Sequence, residues 1–268
     1  MESLYQHAQR ILYKYYWENR NTREHILELP EEKKNIIREK IFKNVPELEG
    51  FYPYFTLSNL EGIYNRVLFE DEDGVVFIVA PPGYGKSSLA LVLAKYIDPT
   101  INDDRIIFNM DELKDFLTLA AKELKKEKDA QMKGQVYKST LKGKAVILDE
   151  GVFMLFSGDA MTKEGKTVQK LFSIIRALNL MMFVNATNFR KVNKGVKEDR
   201  IIGLIRIIRK GVIEFYSKKR IRKIRIMEQN IYFGRAAYNE NVGRVCKDSD
   251  YWKMYEQKKA TFLLEAVE

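Results

Sequence analysis

The 268 residues, 46% hydrophobic and 31% charged, suffice for one large domain or a domain with a smaller accessory part. The single cysteine, Cys246, excludes an intrachain disulfide and a cysteine-rich metal cluster, and it suits a reducing compartment. The net charge of +9 belongs to one stretch: Arg190 to Arg225 holds fourteen Lys or Arg against Glu198, Asp199 and Glu214, which is +11 there and −2 elsewhere, a balance that favours polyanionic partners.

Residues 3–18 have helical periodicity, with Leu4, Ala8, Ile11, Leu12 and Tyr15 on one face. A second helix is expected over 31–43, with Pro30 near its start, and a third over about 58–69. The run GVVFIVA (74–80) reads as a parallel strand buried on both faces. Residues 87–97 read as helix, 105–109 as a second strand, and a long amphipathic helix starts near Asp111 and ends before Gly134. Strands are expected at 144–150 and 180–187, with a helix at 166–179 between them. A helix over 198–209 and a fifth strand over 211–217 follow, then antiparallel strands at 223–229 and 231–234 and a closing helix at 251–266. Alternating strands and helices imply an α/β fold with a mostly parallel central sheet. The organisation expected is an accessory helical region at 1–55, a core at 56–235 and a C-terminal helical segment at 236–268. The first twenty residues lack the apolar core of a signal peptide, and no run of about 18 apolar residues occurs. A cytoplasmic protein without a membrane span is therefore expected.

The central motif is Ala80-Pro81-Pro82-Gly83-Tyr84-Gly85-Lys86-Ser87, between a strand and a helix. Successive backbone N–H groups along the loop, together with the helix N-terminus, would make a concavity for phosphates, with Pro82 through Ser88 around it. Gly83, Tyr84 and Gly85 carry the tight path, Lys86 reaches outer phosphates, and Ser87, with Ser88 beside it, places a hydroxyl toward Mg²⁺. The strict pattern has Gly where Ala80 stands. Asp149 and Glu150 end the apolar run Ala145–Leu148 at the C-terminal edge of a parallel strand, where ligands of such sheets bind. Asp149 suits the metal, and Glu150 suits orienting or deprotonating a water. Asn185 is polar late in a buried strand and needs a partner. It is a candidate contact to the terminal phosphate or the water, with Thr187 and Asn188 as competitors.

The GxGKS loop, the strand ending in Asp149-Glu150 and the polar Asn185 together resemble the additional-strand, catalytic-glutamate class of P-loop ATPases, which includes RecA-like motors and AAA+ proteins. The resemblance implies a RecA-like sheet ordered 5-1-4-3-2, ATP and Mg²⁺ as ligands, and Glu150 as the catalytic glutamate. More narrowly, residues 74–217 are similar to archaeal virus and plasmid ATPases related to the FtsK/HerA DNA motors. That implies coupling of ATP hydrolysis to DNA translocation, packaging or transfer by a ring-shaped homo-oligomer, with a viral or plasmid protein partner and a host cytoplasm as setting. An AAA+ style protein remodeller or replication or assembly loader is the alternative, and a nucleotide-dependent switch or kinase a third. DNA would meet the basic region 190–225. Arg206 and Arg209, three apart on the expected helix and so on one face, are candidates, with Arg200, to reach a neighbour's active site.

Overall fold

The computed structural model describes residues 29–70, 72, 74–149, 163–192, 196–227 and 230–265. The helix expected over 3–18 and the candidate glutamate Glu150 lie outside the described residues. Helices α1 (Glu31–Asn44) and α2 (Tyr54–Phe69) flank a two-residue strand β1 (Leu48–Glu49). Next come β2 (Gly74–Val79), α3 (Lys86–Ile97), β3 (Ile106–Ile107), α4 (Met110–Met132), β4 (Ala145–Leu148), α5 (Lys163–Ala177) and β5 (Met181–Ala186). The remainder comprises β6 (Ile201–Arg209), β7 (Val212–Ser217), α6 (Lys218–Ile221), β8 (Arg225–Met227), β9 (Asn230–Tyr232), β10 (Tyr238–Asn241), β11 (Arg244–Val245) and α7 (Asp250–Glu265).

Seven strands form the main sheet in the order β10-β7-β6-β2-β5-β4-β3. The five from β6 to β3 are parallel, and β7 and β10 are antiparallel additions. The chain is thus an α/β fold with a mainly parallel sheet. Two expectations are corrected here. Residues 201–209 are a strand, and the helix expected over 198–209 shrinks to one wide turn at Val196–Arg200. The sequence IIGLIRIIR is dominated by β-branched isoleucine, which packs well on a pleated surface. Residues 212–217 are a strand, but antiparallel, and the place beside β2 is taken by β6 instead. Only Lys210 and Gly211 join β6 to β7, and Gly211 has φ +77°. A turn that short reverses the chain, whereas a parallel return needs a crossover of a dozen or more residues.

Alternate residues of β2 serve two different cores, as a strand's period of two requires. Val76 and Ile78 pack with Ile37, Ile41, Leu57, Leu91 and Tyr255, from α1, α2, α3 and α7. Val75, Phe77 and Val79 pack with Leu113, Phe116, Leu171 and Ile175, from α4 and α5. The sheet is therefore sandwiched, and α7 joins the layer that carries α3. The β1 strand pairs antiparallel with β11, so the segment between the first two helices is fastened beside the last helix. Glu240 on β10 accepts from the Phe55 and Thr56 N–H groups at 2.8 Å each, at the start of α2. A carboxylate there satisfies orphan donors and meets the positive end of the helix. Burial raises its pKa against the pull of those donors.

One polar contact inside this layer fixes three helices. Lys40 Nζ donates to Glu61 Oε1 at 2.8 Å, and the two side chains are 7% and 5% exposed. Tyr96 OH donates to the same oxygen at 2.8 Å, and Lys40 also lies 4.4 Å from the centre of the Tyr96 ring. Removing one partner of a buried pair strands the other charge and costs about 3 kcal/mol or more. Glu61→Ala is expected to lower the free energy of unfolding by that amount, measured as a urea midpoint shift at unchanged slope. A change below about 0.5 kcal/mol would mean that the pair contributes nothing beyond a surface substitution.

Candidate functional site

The loop between β2 and α3 opens where the parallel strands end. Ala80 N–H still donates to Ala186 O at 3.2 Å, so the loop departs from a strand end fixed to β5. Gly85, the residue before α3, has φ +91°, a conformation glycine adopts without penalty. A Cβ at that position would meet nothing within 4 Å, so the requirement is backbone conformation and the loop faces open space. Lys86 is 5% exposed and folds back over the loop, donating to Ala80 O at 2.9 Å and Pro81 O at 3.2 Å. Its amine is held among carbonyls on the loop's own rim.

Asp149 follows β4 directly and is 5% exposed. Its N–H donates to Ile107 O at 2.9 Å, which continues the pairing of β4 with β3 and sets the carboxylate's position. Ser87 Oγ donates to Asp149 Oδ2 at 3.2 Å, and Asn185 Nδ2 donates to Asp149 Oδ1 at 3.3 Å. Asn185 lies on β5, between β2 and β4, in register with Ile78. It is completely buried, and its Oδ1 has no hydrogen-bond partner among the described residues. An unfilled buried acceptor beside a carboxylate is costly unless the site takes a ligand or water. Serine and aspartate oxygens are the hard donors that Mg²⁺ takes, and this ion binds through one or two carboxylates plus substrate phosphates rather than a protein cage. Among the described residues no cluster of three or more His, Cys, Asp or Glu could hold a metal by itself.

Helix α7 lies across this site. Tyr255 OH donates to Asp149 Oδ2 at 2.7 Å, and burial followed by the Asp149 charge pushes its phenol above the usual range. Lys258 Nζ ties the helix down by donating to Asp103 O at 2.6 Å and pairing with Glu112 at 3.4 Å. Phe108, just past β3, packs between Tyr255 and Phe262 with centroids 5.6 Å apart in each case. A cleft of about 450 Å³ results, lined by the loop, Lys86, Ser87, Asp149 and one face of α7. A second cleft of about 560 Å³ lies on the other side of the loop, between Phe51, Tyr84, Arg244 and Trp252. Trp252 lines both.

The remaining candidates scatter around this centre. Pro82 lines the cleft of Lys86 and Asp149, Gly83 borders both clefts, and Tyr84 faces the second. Ser88 borders both clefts, but its Oγ accepts from Val245 N–H at 3.3 Å. Asn188 caps a short turn by accepting from Arg190 N–H at 2.9 Å, and Thr187 is exposed. Arg206 and Arg209 lie on a strand rather than a helix, so the shared helical face expected for them is withdrawn. Arg206 pairs across the hairpin with Glu214 at 3.3 Å and stacks 4.5 Å from the centre of the Phe233 ring. Arg209 is exposed at the end of β6. The basic stretch is divided by the hairpin. Arg206, Arg209 and Lys210 are at the loop end of the sheet, while Lys218 to Lys223 follow β7 at the other end.

Sequence reasoning passed over Tyr255 and Lys259. The available signal was the repeat of Trp252, Tyr255, Lys259 and Phe262 at helical spacing behind a polar cap.

No protein-family model and no curated protein sequence matches this chain. Among solved structures it is similar to the N-terminal domain of zonular occludens toxin from Neisseria meningitidis, at 15% identity over 55% of this chain and 84% of that one, with a TM-score of 0.32. The FIGL-1 AAA domain in complex with ADP matches at 11% identity over 69% of this chain and 63% of that one, TM-score 0.35. The HORMA–CdnC–Trip13 complex of E. coli MS115-1 matches at 16% identity over 77% and 63%, TM-score 0.31. The chain thus spans less than two thirds of the latter two, and likenesses this distant add nothing to the geometry above.

Proposed function

We propose that this chain binds a nucleoside triphosphate, foremost ATP, together with Mg²⁺, and hydrolyses it. The observation that carries this reading is the meeting of Ser87 and Asn185 on the buried Asp149 at the mouth of a glycine loop containing Lys86. Phosphates need N–H donors, a mobile cation and a metal group in one concavity, and those residues supply the set. Lys86 exchanges the Ala80 and Pro81 carbonyls for phosphate oxygens. Mg²⁺, when bound by Ser87 and Asp149, neutralises charge on the outer phosphates. Asn185 steadies Asp149 through its amide and offers Oδ1 to a water. Glu150, next in the chain, orients or deprotonates the attacking water. The second cleft has flat rings, Tyr84 and Trp252, to receive the base. The test is phosphate release from ATP with and without Mg²⁺. Metal-independent turnover, or none together with no nucleotide binding, rejects the reading.

The polymer acted on is DNA, and the coupled process is its translocation, packaging or transfer. Support comes from the six residues 218–223, five of them Lys or Arg, of which Lys219, Arg222 and Lys223 are exposed. Duplex affinity should fall with salt at a log–log slope of about 0.9 per phosphate contact, whatever the sequence. Neutralising Lys219, Arg222 and Lys223 together should flatten that slope by roughly 2–3. Affinity that ignores salt in the intact protein excludes this partner.

The working form is a cyclic homo-oligomer in which an arginine crosses to the neighbour's cleft. Arg209 suits this better than Arg206, whose guanidinium is engaged with Glu214. Mixing Arg209→Ala with Lys86→Ala subunits should restore part of the turnover each lacks alone. No recovery assigns Arg209 elsewhere.

A further inference from the structure

The face that α7 turns to the phosphate-side cleft is Trp252, Tyr255, Glu256, Lys259, Phe262 and Leu263, an i, i+3, i+4 stripe. Lys259 is the one cation in it. Its neighbour Lys258 is committed to Asp103, Ile106 and Glu112. Lys259, by contrast, has no carboxylate within ion-pair distance among the described residues, and its amine lies 5.7 Å from the centre of the Tyr255 ring. Glu256, one turn earlier, is exposed and makes no ion pair with it. A half-buried lysine, its amine near an aromatic ring and with no acid paired to it among the described residues, lines the same cleft as Lys86, Ser87 and Asp149.

The helix also has a direction relative to the two clefts. Trp252 borders both, whereas Lys259 borders only the phosphate-side one. Seven residues of helix separate them by about 10 Å. A nucleotide with its base near Trp252 therefore runs its phosphates toward Lys259. We propose that Lys259 is a phosphate-binding residue supplied by the chain's own last helix, and that it holds the outermost phosphate of a nucleoside triphosphate opposite Lys86. This rests on the nucleotide reading of the site. Tyr255 fixes the helix at the height of Asp149, which brings the lysine over the cleft. A diphosphate stops short of it, so α7 distinguishes the triphosphate from the diphosphate.

The experiment titrates fluorescent ADP and a fluorescent non-hydrolysable ATP analogue, with Mg²⁺, into wild type, Lys259→Ala, Lys259→Arg and Lys86→Ala, with circular dichroism to verify folding. Lys259→Ala should weaken the triphosphate roughly tenfold or more, the size of one hydrogen bond to a charged group. The diphosphate should change less than about twofold, well below that contribution. Lys259→Arg should regain most of the loss, and Lys86→Ala should weaken both ligands. Equal weakening of both ligands by Lys259→Ala, or none while wild type binds, overturns the role of Lys259 and leaves the nucleotide reading standing. Wild type that binds neither ligand overturns both.

Discussion

Lys86→Ala is expected to weaken ATP binding by at least about 30-fold, because a hydrogen bond to a charged group contributes roughly 1.5–3 kcal/mol and the amine can give more than one. Turnover should vanish with it. The fold should survive, since the carbonyls of Ala80 and Pro81 that the lysine serves lie on the rim of an open cleft, where water can replace it. The check is nucleotide anisotropy alongside far-UV circular dichroism. Unchanged affinity in a folded variant would take the loop out of the site.

Asp149→Asn should separate function from stability. Turnover is expected to fall on the order of 10³-fold, because the metal stabilises transition-state charge by several kcal/mol. Thermal stability should hold or rise. The carboxylate is 5% exposed, and a buried charge carries a desolvation penalty that a neutral amide of the same shape lacks. The amide oxygen can still accept from one of Ser87, Asn185 or Tyr255, which all point at this group. Thermal melts and a Mg²⁺ titration of turnover decide the matter. A variant that unfolds would mark Asp149 as a structural hub instead, and one that keeps its metal dependence would place the ion elsewhere.

The strands that the sequence made legible are those buried on both faces. Residues 74–79 and 145–148 are unbroken apolar runs and 181–186 is one interrupted only by Asn185, and no amphipathic helix reads that way. The loop was legible because it sits between such a strand and a helix. Residues 201–209 misled because IIGLIRIIR satisfies helical spacing as well as strand composition, and periodicity alone cannot separate the two. The number of isoleucines and the two-residue turn at Lys210–Gly211 held the deciding information. Once residues 201–209 are a strand, the direction of 212–217 follows. Asp149 and Asn185 were legible as odd polar groups in apolar strands. The contribution of α7 was not. Its residues lie about a hundred positions from Asp149, and no local pattern says against which surface a helix will pack.

The division of the basic stretch by the hairpin has an electrostatic consequence. Ser217 is level with Gly203, and Gly203 with Val76, whereas Arg206 is level with Val79 at the phosphate loop. The cations after Ser217 therefore begin three residues, roughly 10 Å, from the level of Val79. At physiological ionic strength the Debye length is about 8 Å, so exposed charges that far from the loop lie more than one screening length away. A phosphate charge at Lys86 would thus reach Lys219 or Arg222 only in part. What joins the two ends is β6 itself, a continuous strand hydrogen-bonded to β2 on one side and β7 on the other. The stiff backbone of β6 is a second path for any influence of one end on the other, and added salt leaves that path intact.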